Sequence, residues 1–286
     1  MDLDESLPEN EASMDTVLPS RADAIYLNLE PDENIDAHDV NSILDNSDVD
    51  SALGDEELDR QSMDNYLKVM DREEHPESEV IGVDLSPVQP GFTPPNVHYE
   101  IDDLEEEWSF SRNFDYIHSM MMTGAFRDWP NFYRQAFENL NPGGWVECQD
   151  INFPMKCDDD TIAPQSDLGR WNELMMEAGT LSGFRLDLCD RAAEMMSAAG
   201  FVDIVRIPYK WPINQWPKDV RYKTLGEWTE ANFVFGLESI MLALFTRFLG
   251  WKKEEVWEFI ARVIAEWRDL RNHGYFEIYV TYGRKP

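Results

Sequence analysis

The sequence is short of positive charge. Against 57 Asp and Glu it has 24 Lys and Arg, a formal net charge of −33 over 286 residues. Repulsion at that charge opposes gripping nucleic acid phosphates by bulk electrostatics, so no direct nucleic acid binding is expected. Cysteine is scarce too, with only Cys148, Cys157 and Cys189. An odd count with no CxxC suits neither a disulfide framework nor a zinc ribbon. The five His residues form no HExxH, so no metal site is expected. The opening MDLDESLPEN lacks the basic-then-apolar order of a secretory signal. Uncharged apolar runs of membrane length are also missing. The most apolar stretch, Asn232 to Trp251, holds Glu238 and Arg247 and has helical period, which reads as a buried helix rather than a membrane span. These absences describe an intracellular protein with reduced thiols, in cytoplasm or nucleus, with no membrane partner.

What is present divides unevenly. Residues 1–75 carry 23 acids and 4 bases, whereas the other 211 residues carry 34 and 20. Residues 1–62 contain neither Trp nor Phe and only scattered aliphatics such as Ile25, Leu27 and Leu29. Such a segment buries too little apolar area to offset its ordering entropy and reads as a disordered acidic tail, with an interaction segment for a protein partner as the alternative. Residues 63–75 suggest one short helix with Met63, Leu67 and Met70 on a face. With 43% hydrophobic residues and 10 Trp overall, the remainder has material for a true core, and 63–286 reads as one domain.

From Val80 short apolar runs alternate with helical periods. Residues 80–85, 97–101, 114–118, 145–149, 201–208 and 276–282 read as strands. The residues between Pro90 and Pro95 make an irregular connection. Helices are expected where Trp129, Tyr133, Ala136, Phe137 and Leu140 share a face, around Leu168 to Ala178, around Leu188 to Ala199 with Gly200 as a stop, across 220–250, and over 252–272. This alternation predicts an α/β fold with a mainly parallel sheet. Ligands of such sheets sit at the carboxyl ends of the strands, here Asp84, Asp102-Asp103, His118 to Met121 and Gln149-Asp150.

Each candidate has a plainer role beside the functional one. Asp84, an acid directly after an apolar strand, can accept hydrogen bonds from both hydroxyls of a ribose, or it can cap a turn with Ser86-Pro87. Asp102 and Asp103 suit an adenine amino group, or simply begin the acidic run to Glu107. His118 is a candidate general base or a packed histidine. Met120, Met121 and Met122 can line a cofactor pocket or fill a core. Trp211, Trp216, Trp228 and Tyr222 can wall a substrate site, although core packing is the default for each.

Taken together the pieces are more specific. EHPESEVIGVDLSPVQP (74–90), YEIDDLEEEWSF (99–110), FDYIHSMMMTGAFRDWPNFYRQAFENLNPGGWVECQD (114–150), KWPINQWPKD (210–219), ALFTRFLGWKKEEV and YFEIYVTYGRKP resemble the fungal LaeA-like class I methyltransferases. The resemblance covers about residues 73–286. It implies a Rossmann-like sheet with helices on both faces and S-adenosylmethionine as cofactor. Asp84 and the adjoining Leu85 look like the ribose side, and Asp102 and Asp103 the adenine side. His118, Ser119 and Met120 look like the border of the methionine end. The methyl acceptor is a small molecule or a protein, linked through the family to secondary metabolism.

One family feature is missing. The first strand and its GxGxG loop belong just before Glu73, yet residues 63–73 read MDNYLKVMDRE and no GxGxG occurs anywhere. Glycines there let the backbone approach the cofactor closely. The expectation is a sheet lacking its first strand, with a deleted block such as a skipped exon at about residue 73. The function expected is S-adenosylmethionine-dependent methyl transfer. The alternative is a non-catalytic methyltransferase-like protein, a pseudoenzyme or truncated gene product that acts as an interaction module.

Overall fold

A computed structural model describes the backbone of residues 23–27 together with residues 78–86 and 95–286. The short apolar runs become strands: β1 (Asp23–Leu27), β2 (Glu79–Asp84), β3 (Val97–Ile101), β4 (Phe114–Met120), β5 (Leu140–Lys156), β6 (Val202–Pro212) and β7 (Tyr275–Arg284). The helical periods become α1 (Trp129–Asn139), α2 (Asp167–Ser182), α3 (Ala192–Ala199), α4 (Val220–Phe248) and α5 (Lys253–Trp267), with one 3-10 turn at Cys189–Arg191. Helix ends follow local chemistry. Asp128 accepts from the Asn131 N–H at the start of α1, and Gly200, at φ 108°, ends α3 in the left-handed conformation the sequence anticipates.

Among the described residues one sheet of seven strands runs in the order β3-β2-β1-β4-β5-β7-β6. The ladders β3-β2-β1-β4-β5 are parallel and β7 is antiparallel to both β5 and β6. The Rossmann-like α/β expectation is therefore met, but the missing first strand is corrected. β1 lies between β2 and β4, with Ala24 opposite Val80 and Tyr116, and Leu27 opposite Val83 and Ser119. The run Ala24-Ile25-Tyr26-Leu27 is too short to persist alone, but a ladder on each side satisfies its backbone groups. The sheet thus draws its central strand from within the segment read as a disordered tail. The rest of that segment, the helix expected over 63–75 and the connection over 87–94 lie outside the described residues.

β5 is longer than its predicted core of residues 145–149. Its ladder with β4 passes from Phe114 opposite Leu140 to Tyr116 opposite Trp145, so residues 141–144 bulge outward, with Gly143 at φ 86°. Beyond Gln149 the strand continues to Lys156 because β7 pairs with it there.

Two cores occupy opposite faces. On one face α1 and α3 cover Phe114, Ile117, Val146 and Cys148 with Trp129, Phe132, Tyr133 and Met196. On the other face, Ile151, Phe153, Met155, Phe276 and Ile278 from the far halves of β5 and β7 pack against α2, α4 and α5. Trp171 and Trp267 meet edge to face at 5.4 Å in this second core, and the Trp267 indole N–H donates to the Ile213 carbonyl at 2.6 Å. α4 is only half the buried helix expected. Leu237, Met241, Leu242 and Phe245 enter the core, whereas Trp228 and Phe235 remain exposed. By length and composition α4 alone among the described helices is apolar enough to cross a membrane.

The position of β1 can be tested directly. Ile25→Pro removes a backbone donor from a strand paired on both sides, which a central strand does not tolerate. A fall in Tm of about 5–10 °C is expected by differential scanning calorimetry. An unchanged Tm removes β1 from the sheet.

Candidate cofactor site at the strand ends

Register decides which side chains share a face, because successive residues on a strand point to opposite sides. Tyr26 lies opposite both Gly82 and His118, so Gly82 and His118 occupy one transverse row. Asp84 lies two residues beyond Gly82 and Met120 two beyond His118, on that same face. Ser119 pairs with Cys148 and belongs to the opposite face, where it is fully buried. The structure therefore brings Asp84, His118 and Met120 together on one side of the sheet, and Ser119 can face that side only through its backbone.

Asp84 ends β2. Its Oδ1 accepts the Ser86 N–H at 2.8 Å, the turn-capping role foreseen for it. Its Oδ2 is buried and has no partner among the described residues. Burial raises this carboxyl above the ordinary carboxylate range, with the Ser86 N–H pulling the other way. The next residue, Leu85, is 64% exposed, and Ile101, opposite Asp84 in the ladder, is 59% exposed. An acceptor in need of a donor thus sits beside apolar surface in need of cover. Asp102 adjoins it, its N–H donating to the Asp84 carbonyl at 3.1 Å. The Asp102 and Asp103 side chains serve the turn, Asp102 Oδ1 accepting from Asp103 N–H and Asp103 Oδ1 from Glu105 N–H, both at 2.9 Å. The acidic run that follows is tied to α1 by Gln135, which accepts from Trp108 N–H and donates to the Leu104 and Glu106 carbonyls.

His118 is buried, stacked on Tyr116 at 6.1 Å, with Nε2 3.6 Å from Glu147 Oε1. Burial dominates both partners: it lowers the imidazole to about 4 and raises the Glu147 carboxyl. The neutral imidazole keeps a free-base form, but one of low basicity at neutral pH. Met120 is half-buried, Met121 packs against the second core and Met122 belongs to the first.

Other functional groups escape sequence reasoning. Thr123, directly after the Met run, binds Asp150 and the Ile151 carbonyl, and the Cys189 thiol lies 3.0 Å from its hydroxyl. Asp150 was visible as a strand end, but its burial and its link to Thr123 depend on register across two strands. Among the suggested aromatic walls, Trp216 is fixed by its indole N–H on the Gly274 carbonyl and stacks on His273, and Trp211 packs against the second core. Among the described residues no group of three or more His, Cys, Asp or Glu is arranged to hold a metal ion.

The state of His118 has a pH signature. Its folded pKa lies below the unfolded value, so the unfolded chain binds more protons between about pH 4 and 6.5. Stability therefore rises with pH through that window and is lost as pH falls. His118→Gln should recover up to about 3 kcal/mol near pH 4 in urea unfolding relative to the parent chain. Proton NMR should show the His118 ring neutral throughout the neutral range, and an ordinary titration near 6.5 would overturn the assignment.

Residues 63–204 match a family model described as a methyltransferase domain. Methyltransferase pytC of Aspergillus terreus is 37% identical over 209 residues, which cover 72% of this chain and 64% of that protein. The chain thus spans less than two thirds of the length of this relative. A probable methyltransferase, tdiE of Emericella nidulans, is 33% identical over 75% of this chain and 67% of its own length. The secondary metabolism regulator LAE1 of Cochliobolus heterostrophus is 32% identical over 73% of this chain and 69% of its own. With that identity across so much of both lengths, the chain belongs to the fungal LaeA-like family of class I methyltransferases.

Proposed function

We propose that this protein transfers a methyl group from S-adenosylmethionine, the cofactor of its family, to a small-molecule or protein acceptor in secondary metabolism. The carrying observation is Asp84, whose buried Oδ2 lacks a donor among the described residues, with exposed Leu85 next to it in sequence and exposed Ile101 opposite it in the ladder. These residues fit the nucleoside half of the cofactor. Asp84 would accept from the ribose hydroxyls, and Leu85 and Ile101 would give the base an apolar surface. When bound, the sulfonium supplies the methyl group. The chain's own contribution is alignment: the Met120 end of β4 would border the methionine half, and exact placement of donor and acceptor can account for about 7–11 kcal/mol of barrier. His118, neutral and close to Glu147, is the group able to take an acceptor proton on this face, at the low basicity its burial sets. Free Cys148, Cys157 and Cys189 suit a reducing, intracellular setting.

A second reading rests on the residues after β1. In the sequence Asn28-Leu29-Glu30-Pro31-Asp32 follow β1, and none is glycine. A chain without a glycine loop would serve as an interaction module, with the acidic sequence on either side of β1 offered to a basic protein partner.

Calorimetric titration of S-adenosylhomocysteine into the full chain separates the two. The enzyme reading expects a Kd in the micromolar range, weakened by about 1.5–3 kcal/mol in Asp84→Ala. An unchanged Kd in that variant sinks the ribose role. No binding by the parent chain up to about 1 mM leaves the interaction module.

A further inference from the structure

The turn that ends β4 is held by a carboxyl that the cofactor reading leaves unused. Met121 leaves the strand with its N–H on the Gln149 carbonyl at 2.8 Å and then takes φ 56°. A residue with a side chain adopts that conformation where its surroundings impose it. Here the Met121 side chain goes to one core and Met122 to the other, so the turn divides between the two faces of the sheet. Thr123 closes it. Its N–H donates to Asp150 Oδ1 at 2.8 Å, and its hydroxyl donates to the Ile151 carbonyl at 2.6 Å, with Asp150 Oδ1 at 3.2 Å. Asp150 is 3% exposed. Neither its Oδ2 nor Thr281 Oγ1 has a partner among the described residues, and both residues line one small cavity with Tyr133, Cys148, Cys189 and Tyr279.

We propose that Asp150 is a positioning residue for the methionine end of the cofactor site: buried and bound to Thr123, it latches the turn 121–123, and the hold of that latch depends on pH. The inference rests on the reading of these strand ends as the cofactor site.

Among the described residues, the surroundings of Asp150 supply no compensating charge. α1 presents the Tyr133 hydroxyl, the 3-10 turn presents the Cys189 thiol with Asp190 beside it, and β7 presents Tyr279 and Thr281. Its own strand presents the Cys148 thiol, and Ser119 lies across the ladder from that residue. Arg206 of β6 is spent on the Tyr279 ring, 4.8 Å from its centroid. Burial pushes the Cys148 thiol and the Tyr279 hydroxyl up to about 12, and Tyr133 and Cys189 well above their usual ranges. Burial pushes Asp150 up to about 7 against the opposing N–H donors of Thr123 and Met122. In this cluster the carboxyl alone changes charge near neutrality. A closed latch therefore holds a proton that an opened, hydrated Asp150 releases near pH 4. Closure is favoured in acid, loses up to about tenfold per pH unit between about pH 4 and 7, and levels off above.

The test follows amide hydrogen exchange of the peptide spanning residues 119–126 in the full chain, corrected for intrinsic rates, alongside S-adenosylhomocysteine affinity over the same pH range. In the parent chain exchange should accelerate by up to about tenfold per unit from about pH 5 to 7 and then level, with affinity falling at least threefold in parallel. Asp150→Asn, a neutral isostere, should keep the protection found in acid and show flat profiles for both. Thr123→Val should raise exchange at every pH while its slope persists. If Asp150→Asn keeps the parent's slopes, or if affinity stays flat while exchange varies, Asp150 does not position the cofactor site. Absence of S-adenosylhomocysteine binding by the parent at every pH overturns the cofactor reading, and this inference with it. Binding with a pH profile independent of Asp150 overturns this inference alone.

Discussion

Pairing on both sides of β1 is the constraint on which the cofactor end depends. β2 and β4 each present a row of backbone N–H and C=O groups toward the middle of the sheet, and buried groups of that kind must be matched. Asp23–Leu27 match the row of β2, and Ala24 to Leu27 match that of β4. They also set the lateral spacing between Asp84 and His118 and place both on one face. The chain meets this need with a short apolar run from a segment rich in acids, so tertiary pairing overrides local composition. No GxGxG follows this strand in the sequence.

Much of the fold was legible because apolar runs and turn residues state it locally. β2 to β4, α1 and the Gly200 stop follow from runs and periods that need no distant partner. β1 was missed for a physical reason: a four-residue apolar run amid acids is too weak a signal on its own and gains its stability from strands about 55 and 90 positions away in sequence. The extent of β5 was missed similarly, because residues 150–156 are extended by β7, which follows more than a hundred residues later. At the candidate site, the acid after an apolar strand pointed to Asp84. The opposite facing of Ser119 follows from strand alternation once register is known. Nothing short of the folded ladder reveals that Thr123 and Asp150 meet, since their 27-residue separation fits no local pattern.

The second core stands apart from the strand ends that carry the candidate site. α2, α4 and α5 rest on the far halves of β5 and β7, around the Trp171, Trp267 and Phe276 group, while the strand ends that carry Asp84 and Met120 lie on other strands. The two regions meet at the turn after β4, where Met121 joins the second core and Met122 the first.

The continuity of β5 and β7 carries a further consequence. Each strand runs unbroken from the layer beneath α1 and α3 to the layer beneath α2, α4 and α5. Among the described residues the layers are separated by no linker at which a protease could divide them into self-sufficient halves. Severing either strand would strip both layers of their shared floor, so the two must melt as a single cooperative unit.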